Sequence, residues 1–285
     1  MINLKHEVQK RGFVVAHIKT DSIKIPDATP EIIQFVMDYG KMYGYIFEHE
    51  ATYDRMCLVN NAVYIAKYKD GKHAGEWTAT GTQFQIPYVF KKLFSKEEIV
   101  FEDMCETKSV TGALYLDMNE SLPDATAAEK ELETLYKKWP DENGQYPLDY
   151  DETVVKLKEE ISKGHNYIFV GKVGQFCPIK PGCGGGLLCR ESEDKKTGEK
   201  KYDAATGTKG YRWLESEMVK ELGKEDDIDR GYYDALVDAA ATDISAFGDL
   251  EWFVSDDPYI KEDDTPPWFG PGEPHGDDAT AFDVR

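Results

Sequence analysis

The chain contains no run of about 18 or more apolar residues, which excludes a membrane-spanning helix of ordinary length. Its opening MINLKHEVQK has no apolar signal region, so a cytoplasmic protein is expected (host cytoplasm, if a phage encodes it). Cysteine is scarce: five residues, an odd number, scattered apart from one cluster, which suits reduced thiols and not a disulfide framework. Positive charge is the other shortage. There are 34 Lys and Arg against 54 Asp and Glu, a formal charge of −20, which taken globally argues against nucleic acid.

What is present reads differently in detail. The 285 residues are 41% hydrophobic and 12% aromatic, enough for a folded chain with a real core. Residues 249–285 hold 11 acidic side chains against two basic ones, Lys261 and Arg285. Residues 163–220 reverse this, with 11 Lys and Arg against seven Asp and Glu. A basic island and an acidic tail therefore coexist, and the total hides a possible local phosphate-binding surface.

Along the chain, RGFVVAHIKTDSIKIP (11–26) reads as two strands around a polar tip, Lys19-Thr20-Asp21-Ser22. A helix follows, capped by Thr29, with Pro30 in its first turn and Ile32, Phe35, Val36 and Tyr39 at helical spacing; Gly40 and Gly44 are expected to end it. Strands follow, with a turn at Asp70-Gly71. A helical region is expected over 87–120, a linker at NESLPDATA, and helices at about 125–139 and 151–163. NYIFVGKVGQFCPI is a strand candidate, and a helix is expected from Asp229 to Phe247. The expected fold is α+β: a small antiparallel sheet with a helix on one face (1–86), a mainly helical region (87–163), an extension carrying the basic island (164–255) and an acidic, disordered tail (256–285).

An Asp at a hairpin turn is usually a turn residue. Here the flanks are apolar and the tip is bounded by Thr and Ser, a shape that presents a carboxylate from a buried platform, as a divalent-cation site requires. AHIKTDSIKI resembles the third palm motif of B-family DNA polymerases, a hairpin usually reading Tyr-Gly-Asp-Thr-Asp-Ser. The resemblance implies that Thr20, Asp21 and Ser22 match the end of the motif, with Asp21 as catalytic residue and ligand of the two Mg²⁺ ions. Lys19 stands in place of the first aspartate, and His17-Ile18 in place of Tyr-Gly. FEHEATYDRMCLVNNAVYIAKY then resembles the family's primer-gripping Lys-Lys-x-Tyr segment, with Tyr64 as the tyrosine, Asn61 and Ala62 where lysines are common, and Lys67 as a substitute cation. The match covers residues 11–70. It implies a phage-like polymerase cut to its palm and thumb portion, contacting primer-template DNA. The dNTP site, fingers, exonuclease and first palm aspartate would lie on a separate N-terminal chain, without which this one is inactive.

Beyond that region, TKGYRWLESE sets Lys209, Tyr211 and Arg212 beside Trp213. Cations interleaved with aromatics suit a DNA backbone with stacking at an unpaired end, so Lys209, Tyr211 and Arg212 join Thr20, Ser22, Tyr64 and Lys67 as candidate nucleic-acid contacts. The competing reading, core aromatics beside solvated cations, stands level with it. Cys177, Cys183 and Cys189 recur at six-residue steps, poor zinc spacing, with His165 a distant fourth ligand. Structural cysteines are the preferred reading. The Gly182–Gly186 run is not followed by Gly-Lys-Ser/Thr and is no P-loop; close approach to a phosphate and a mobile surface turn both remain open. Glu102, Asp103, Glu106, Asp117 and Glu120 read as a solvated helical face. The alternative function is a non-catalytic DNA-binding or replication-accessory module that keeps a polymerase-like hairpin; a zinc-stabilised structural protein is the third.

Overall fold

A computed structural model describes residues 1–119, 123–194, 198–257, 259–260 and 279–284, of which 123–126 and 279–284 are described as backbone only. In chain order its elements are α1 (Ile2–Lys10), β1 (His17–Ile18), β2 (Ser22–Pro26), α2 (Pro30–Met42), β3 (Phe47–Asn60), β4 (Val63–Tyr68), β5 (Trp77–Thr80), and the short α3 (Thr82–Gln85) and α4 (Pro87–Phe90). Then come β6 (Glu106–Asp117), α5 (Pro123–Lys138), α6 (Tyr150–Lys163), β7 (Tyr167–Ile179), β8 (Leu187–Glu193), β9 (Lys200–Ala204), β10 (Arg212–Glu215) and α7 (Ser216–Glu221). The last are α8 (Arg230–Ser245), α9 (Leu250–Val254) and β11 (Ala279–Val284). These elements form two compact units, one from residues 1–103 with 233–285 and one from residues 104–232.

The first unit is built on an antiparallel sheet of order β1-β2-β11-β3-β4-β5. Thr29 caps α2, its side chain accepting from the Ile32 N–H at 3.4 Å, and Pro30 occupies the first turn where its missing N–H is harmless. The buried face of α2 (Ile32, Val36) meets Leu4 and Val8 of α1, Ile23 and Ile25 of β2, and Phe47. Gly40 lies inside α2 because the Phe47 ring passes over it; a Cβ there would stand 2.1 Å from the ring. The true stop is Gly44, at φ +80°. A second cluster joins Cys57, Ile65, Phe84, Val89 and Phe94 to Ala240, Ile244 and Phe253 from the returning C-terminal helices. Arg55 fastens that return. Its guanidinium donates to the carbonyls of Trp252 (2.5 Å) and Ser255 (2.7 Å) at the end of α9 and lies over the Trp252 ring.

The second unit is a five-stranded antiparallel sheet of order β10-β7-β6-β8-β9. β7 and β9 stand three strand spacings apart, roughly 14 Å in a flat sheet. Yet the rings of Tyr167 on β7 and Tyr202 on β9 stack at 4.1 Å, so the sheet curls strongly. Its core holds Leu114, Leu116, Phe176, Cys177, Leu188 and Trp213, all buried, with the Trp213 indole N–H donating to the Thr208 carbonyl at 3.1 Å.

The α+β class and the antiparallel sheets accord with the sequence reading; other expectations need correction. The region 87–120 is not helical throughout. After α4 and a π-type turn at Lys91–Ser95, residues Glu106–Asp117 form a long strand, because ETKSVTGALYLD carries β-branched residues and alternates in burial over its first half. Its acidic residues are not a solvated helical face: Asp103 and Asp117 are buried and hydrogen-bonded, while Glu120 lies outside the described residues. The expected boundaries at 86/87 and 163/164 also fall inside units, since the break in contacts comes at Asp103 and the chain re-enters the first unit at Tyr233. Most of the acidic tail (258, 261–278 and 285) lies outside the described residues, but Ala279–Val284 is a strand pairing with both β2 and β3, where a disordered tail was expected. Its alternating TAFDV suits an extended segment. The helix α1 was not anticipated; it rests on just two buried residues, Leu4 and Val8.

Arg55→Ala should lower unfolding free energy by about 2 kcal/mol, because it uncovers the α9 carbonyls and the Trp252 face together. Urea denaturation should show little recovery in Arg55→Lys, whose ammonium lacks the fork that reaches several carbonyls at once.

Candidate functional site

The hairpin expected from the sequence forms, in a shorter version. His17 pairs with Lys24 and Ile18 with Ile23, and the Lys19 N–H donates to the Ser22 carbonyl at 2.9 Å, closing the turn. Thr20 and Asp21 are exposed at the tip. Every residue of β2 is buried, Ser22 included, so the tip stands on a rigid base. Asp21 is thereby presented to solvent by a platform whose Ile23 and Ile25 are fully packed. Beside the tip is a 280 Å³ pocket; Thr20 lines it together with Leu4, Gly40, Tyr43 and Phe47.

Two side-chain contacts tie this hairpin to the turn between β3 and β4. The His17 imidazole donates from Nε2 to the Asn61 carbonyl at 2.9 Å, and the Lys24 ammonium lies 4.8 Å from the centre of the Tyr64 ring. Lys24 is only 4% exposed, so its stem is buried and the ring face helps offset its desolvation. Tyr64 neighbours Tyr53, whose phenol pKa is pushed well up, first by burial and then by the nearby tyrosines Tyr64 and Tyr68. The base of the hairpin and the Asn61–Tyr64 turn are thus in contact, while Thr20 and Asp21 stand beyond that contact at the exposed tip. Lys67 is otherwise occupied: its ammonium pairs with Asp256 and lies over Trp77. Among the described residues no three His, Cys, Asp or Glu gather as a metal site.

Lys209, Tyr211 and Arg212 belong to the second unit. Lys209 is exposed. The Tyr211 ring packs edge-on against Tyr232 at 4.7 Å. The Arg212 guanidinium donates to the Gly185 carbonyl at 2.7 Å and to the Asn119 carbonyl at 3.3 Å, and so holds the glycine loop. The backbones of Gly186 and Trp213 exchange both hydrogen bonds (2.8 and 2.7 Å), and at Gly185, whose φ is +77°, a Cβ would stand 3.1 Å from the Trp213 carbonyl oxygen. The loop is a pinned turn, and Arg212 holds its carbonyls, a contact that neither reading of the sequence gave it.

The cysteine series is not a zinc site in this geometry. Cys177 instead faces Cys105, with sulfurs 3.5 Å apart, and none of the five cysteines is in a disulfide. His165 donates from Nδ1 to the buried Asp117 carboxylate at 2.5 Å, approaches Glu129 at 3.3 Å through Nε2, and stacks on Tyr167. Asp117 also accepts from the Asn166 N–H at 2.8 Å, closing the β6–β7 end of the sheet. Nothing in the sequence pattern singled out the Asp117–His165 pair, since its members are distant in the chain.

Burial holds the His17 pKa below its ordinary 6.5, assisted by the Lys24 and Lys19 charges and partly opposed by the Asn61 hydrogen bond. A group depressed on folding lends stability above its unfolded pKa and loses it as pH falls towards the folded value. Melting temperature should therefore drop on acidification from about pH 7.5 to about pH 5.5, and the drop should shrink in His17→Gln.

In comparisons with known proteins, no family model, no curated protein and no solved structure matches the chain.

Proposed function

We propose that this chain is the C-terminal part of a phage-like DNA-directed DNA polymerase, supplying one metal-binding carboxylate and contacts to primer-template DNA. The observation that carries the reading is the joining of the Asp21 hairpin to the Asn61–Tyr64 turn through His17 and Lys24. Those are the two segments whose sequences resemble neighbouring parts of a B-family palm. Their contact in the first unit supports the reading.

Asp21 would hold Mg²⁺. It would be the one donor this chain supplies, as a hard cation that keeps several waters and otherwise leans on substrate phosphates allows. When bound, a pair of such ions activates a 3′ hydroxyl and neutralises charge on the transferring phosphate. The chain's own part is to fix Asp21 at the turn that leads into the buried β2 strand, and to present Thr20 and Tyr64 to a nucleic-acid strand. A second carboxylate, the fingers and the dNTP contacts belong, in this proposal, to an N-terminal partner chain. Lys67 joins the DNA contacts only by leaving Asp256.

Alone, the chain should give no primer extension. Mixed with the partner and Mg²⁺ it should extend a primer, and Asp21→Ala should reduce extension to background while leaving the melting temperature unchanged, since the side chain is exposed. Extension that survives Asp21→Ala would replace this reading with that of a non-catalytic DNA-binding module.

A further inference from the structure

Two thiols of the second unit meet at the end of the β6–β7 ladder. Glu106 is the register partner of Phe176, and one step further out Cys105 faces Cys177, with sulfurs 3.5 Å apart. Residues directly opposite in an antiparallel pair have Cα atoms about 4.5 or 5.5 Å apart, and a disulfide accepts about 4.4–6.8 Å. The register therefore sets the two backbones at a spacing a disulfide accepts, and the side chains already bring their sulfurs into contact. The other cysteines are placed differently. Cys57 is packed in the core of the first unit, and Cys189 donates its S–H to the Leu187 carbonyl at 3.6 Å. Cys183 lies in the loop between β7 and β8, where its own carbonyl accepts from the Lys224 ammonium at 2.7 Å.

The two members of the pair are not equivalent. Cys177 is fully buried in β7, and β10 holds it from the other side, where Leu214 is its register partner. Cys105 is half-buried and stands between the single 3-10 turn Phe101–Met104 and the first residue of β6. It is the sulfur that a dissolved reagent reaches, and the one whose backbone is not locked between two strands. The hydrogen bond with Cys105 and then burial push the Cys177 thiol well above its ordinary range, with the Lys220 charge opposing them. A thiol is a nucleophile only as its thiolate, so Cys177 is poorly suited to open a reaction with a dissolved reagent and well placed to complete one.

We propose that Cys105 and Cys177 form a reversible oxidation site, a dithiol that a low-molecular-weight disulfide converts into a cross-strand disulfide locking the second unit. Cys105 loses its proton and its sulfur attacks one sulfur of the small disulfide, forming a mixed disulfide and expelling one thiolate. The Cys177 sulfur then attacks the Cys105 sulfur, gives up its own proton and expels the second thiolate, and the two protons end on the two released thiols. Two electrons pass from the pair to the reagent, which is consumed as two thiols; an excess of dithiol reverses both steps. The new bond spans a sequence separation of 72 residues, enclosing α5, α6 and nearly all of β6 and β7. A link across so long a loop restricts the unfolded chain strongly. The inference rests on the second unit alone and is independent of the polymerase reading.

The test is incubation of the folded full chain with oxidised glutathione, followed by denaturation, iodoacetamide labelling and mass spectrometry. The reduced chain should take a label on each of its five cysteines, and the oxidised chain two fewer. Peptide mapping should find Cys105 joined to Cys177. Melting temperature should rise by roughly 5–10 °C on oxidation and return with dithiothreitol. Cys177→Ala should stop at the mixed disulfide, with one glutathione on Cys105, whereas Cys105→Ser should form no bond at Cys177. Cys183→Ser should oxidise as the unaltered chain does. Circular dichroism under reducing conditions shows which variants are folded, and the bond mapped in the unaltered chain decides the matter where Cys177→Ala is not. Five labels after incubation would overturn the inference. So would a bond mapped to any other pair, or an oxidised chain that melts no higher than the reduced one.

Discussion

Strand β2 has no exposed residue, and much of the first unit follows from that constraint. A strand buried on both faces must be covered twice and must find a partner for each polar group it carries inward. Ile23 and Ile25 are covered by the two N-terminal helices. Lys24 is the difficult residue, a cation 4% exposed, and it is accommodated because the Tyr64 ring lies under its ammonium. The same demand draws the β3–β4 turn towards the hairpin, where His17 finds the Asn61 carbonyl. The candidate site is thus a by-product of satisfying buried polar groups, and its exposed carboxylate inherits the stiffness of what lies beneath.

The cations of the second unit show how poorly a charge count describes a surface. Arg212 is spent on two carbonyls, and Lys108 on Glu106 and the Trp213 face. Each is a structural cation whose contribution comes from hydrogen bonds and ring contact rather than from its field. Among the described residues, exposed cations such as Lys172, Arg190 and Lys209 are not engaged in this way.

Much of this was legible in the sequence where one local signal dominated. Thr29-Pro30 wrote the start of α2, the apolar alternation around Lys19–Ser22 wrote the hairpin, and the α5, α6, β7 and α8 segments lie within a few residues of their expected positions. What was not legible depended on distant partners. Gly40 looked like a helix stop because nothing local announces the ring of Phe47 above it. The 106–117 strand was masked by its charged and hydroxyl side chains, which in isolation suit a solvated helix as well. At the candidate site, Asp21 and Tyr64 were named by resemblance alone, and the contact between their segments joins residues far apart in the chain. So does the engagement of Lys67 with Asp256, which was not legible either.

The division of the chain has a consequence for its synthesis. The first unit is interrupted at Asp103 and resumed only at Tyr233. Phe84, Val89 and Phe94 therefore leave the ribosome long before Ile244 and Phe253, the residues that cover them. Throughout translation of the intervening unit that aromatic surface has no lid from its own chain. The second unit, contiguous in sequence, can complete its sheet first. Folding order is thus the reverse of chain order for the half that carries Asp21, and the nascent protein is most vulnerable to aggregation at Phe84 and Phe94 until α8 and α9 emerge.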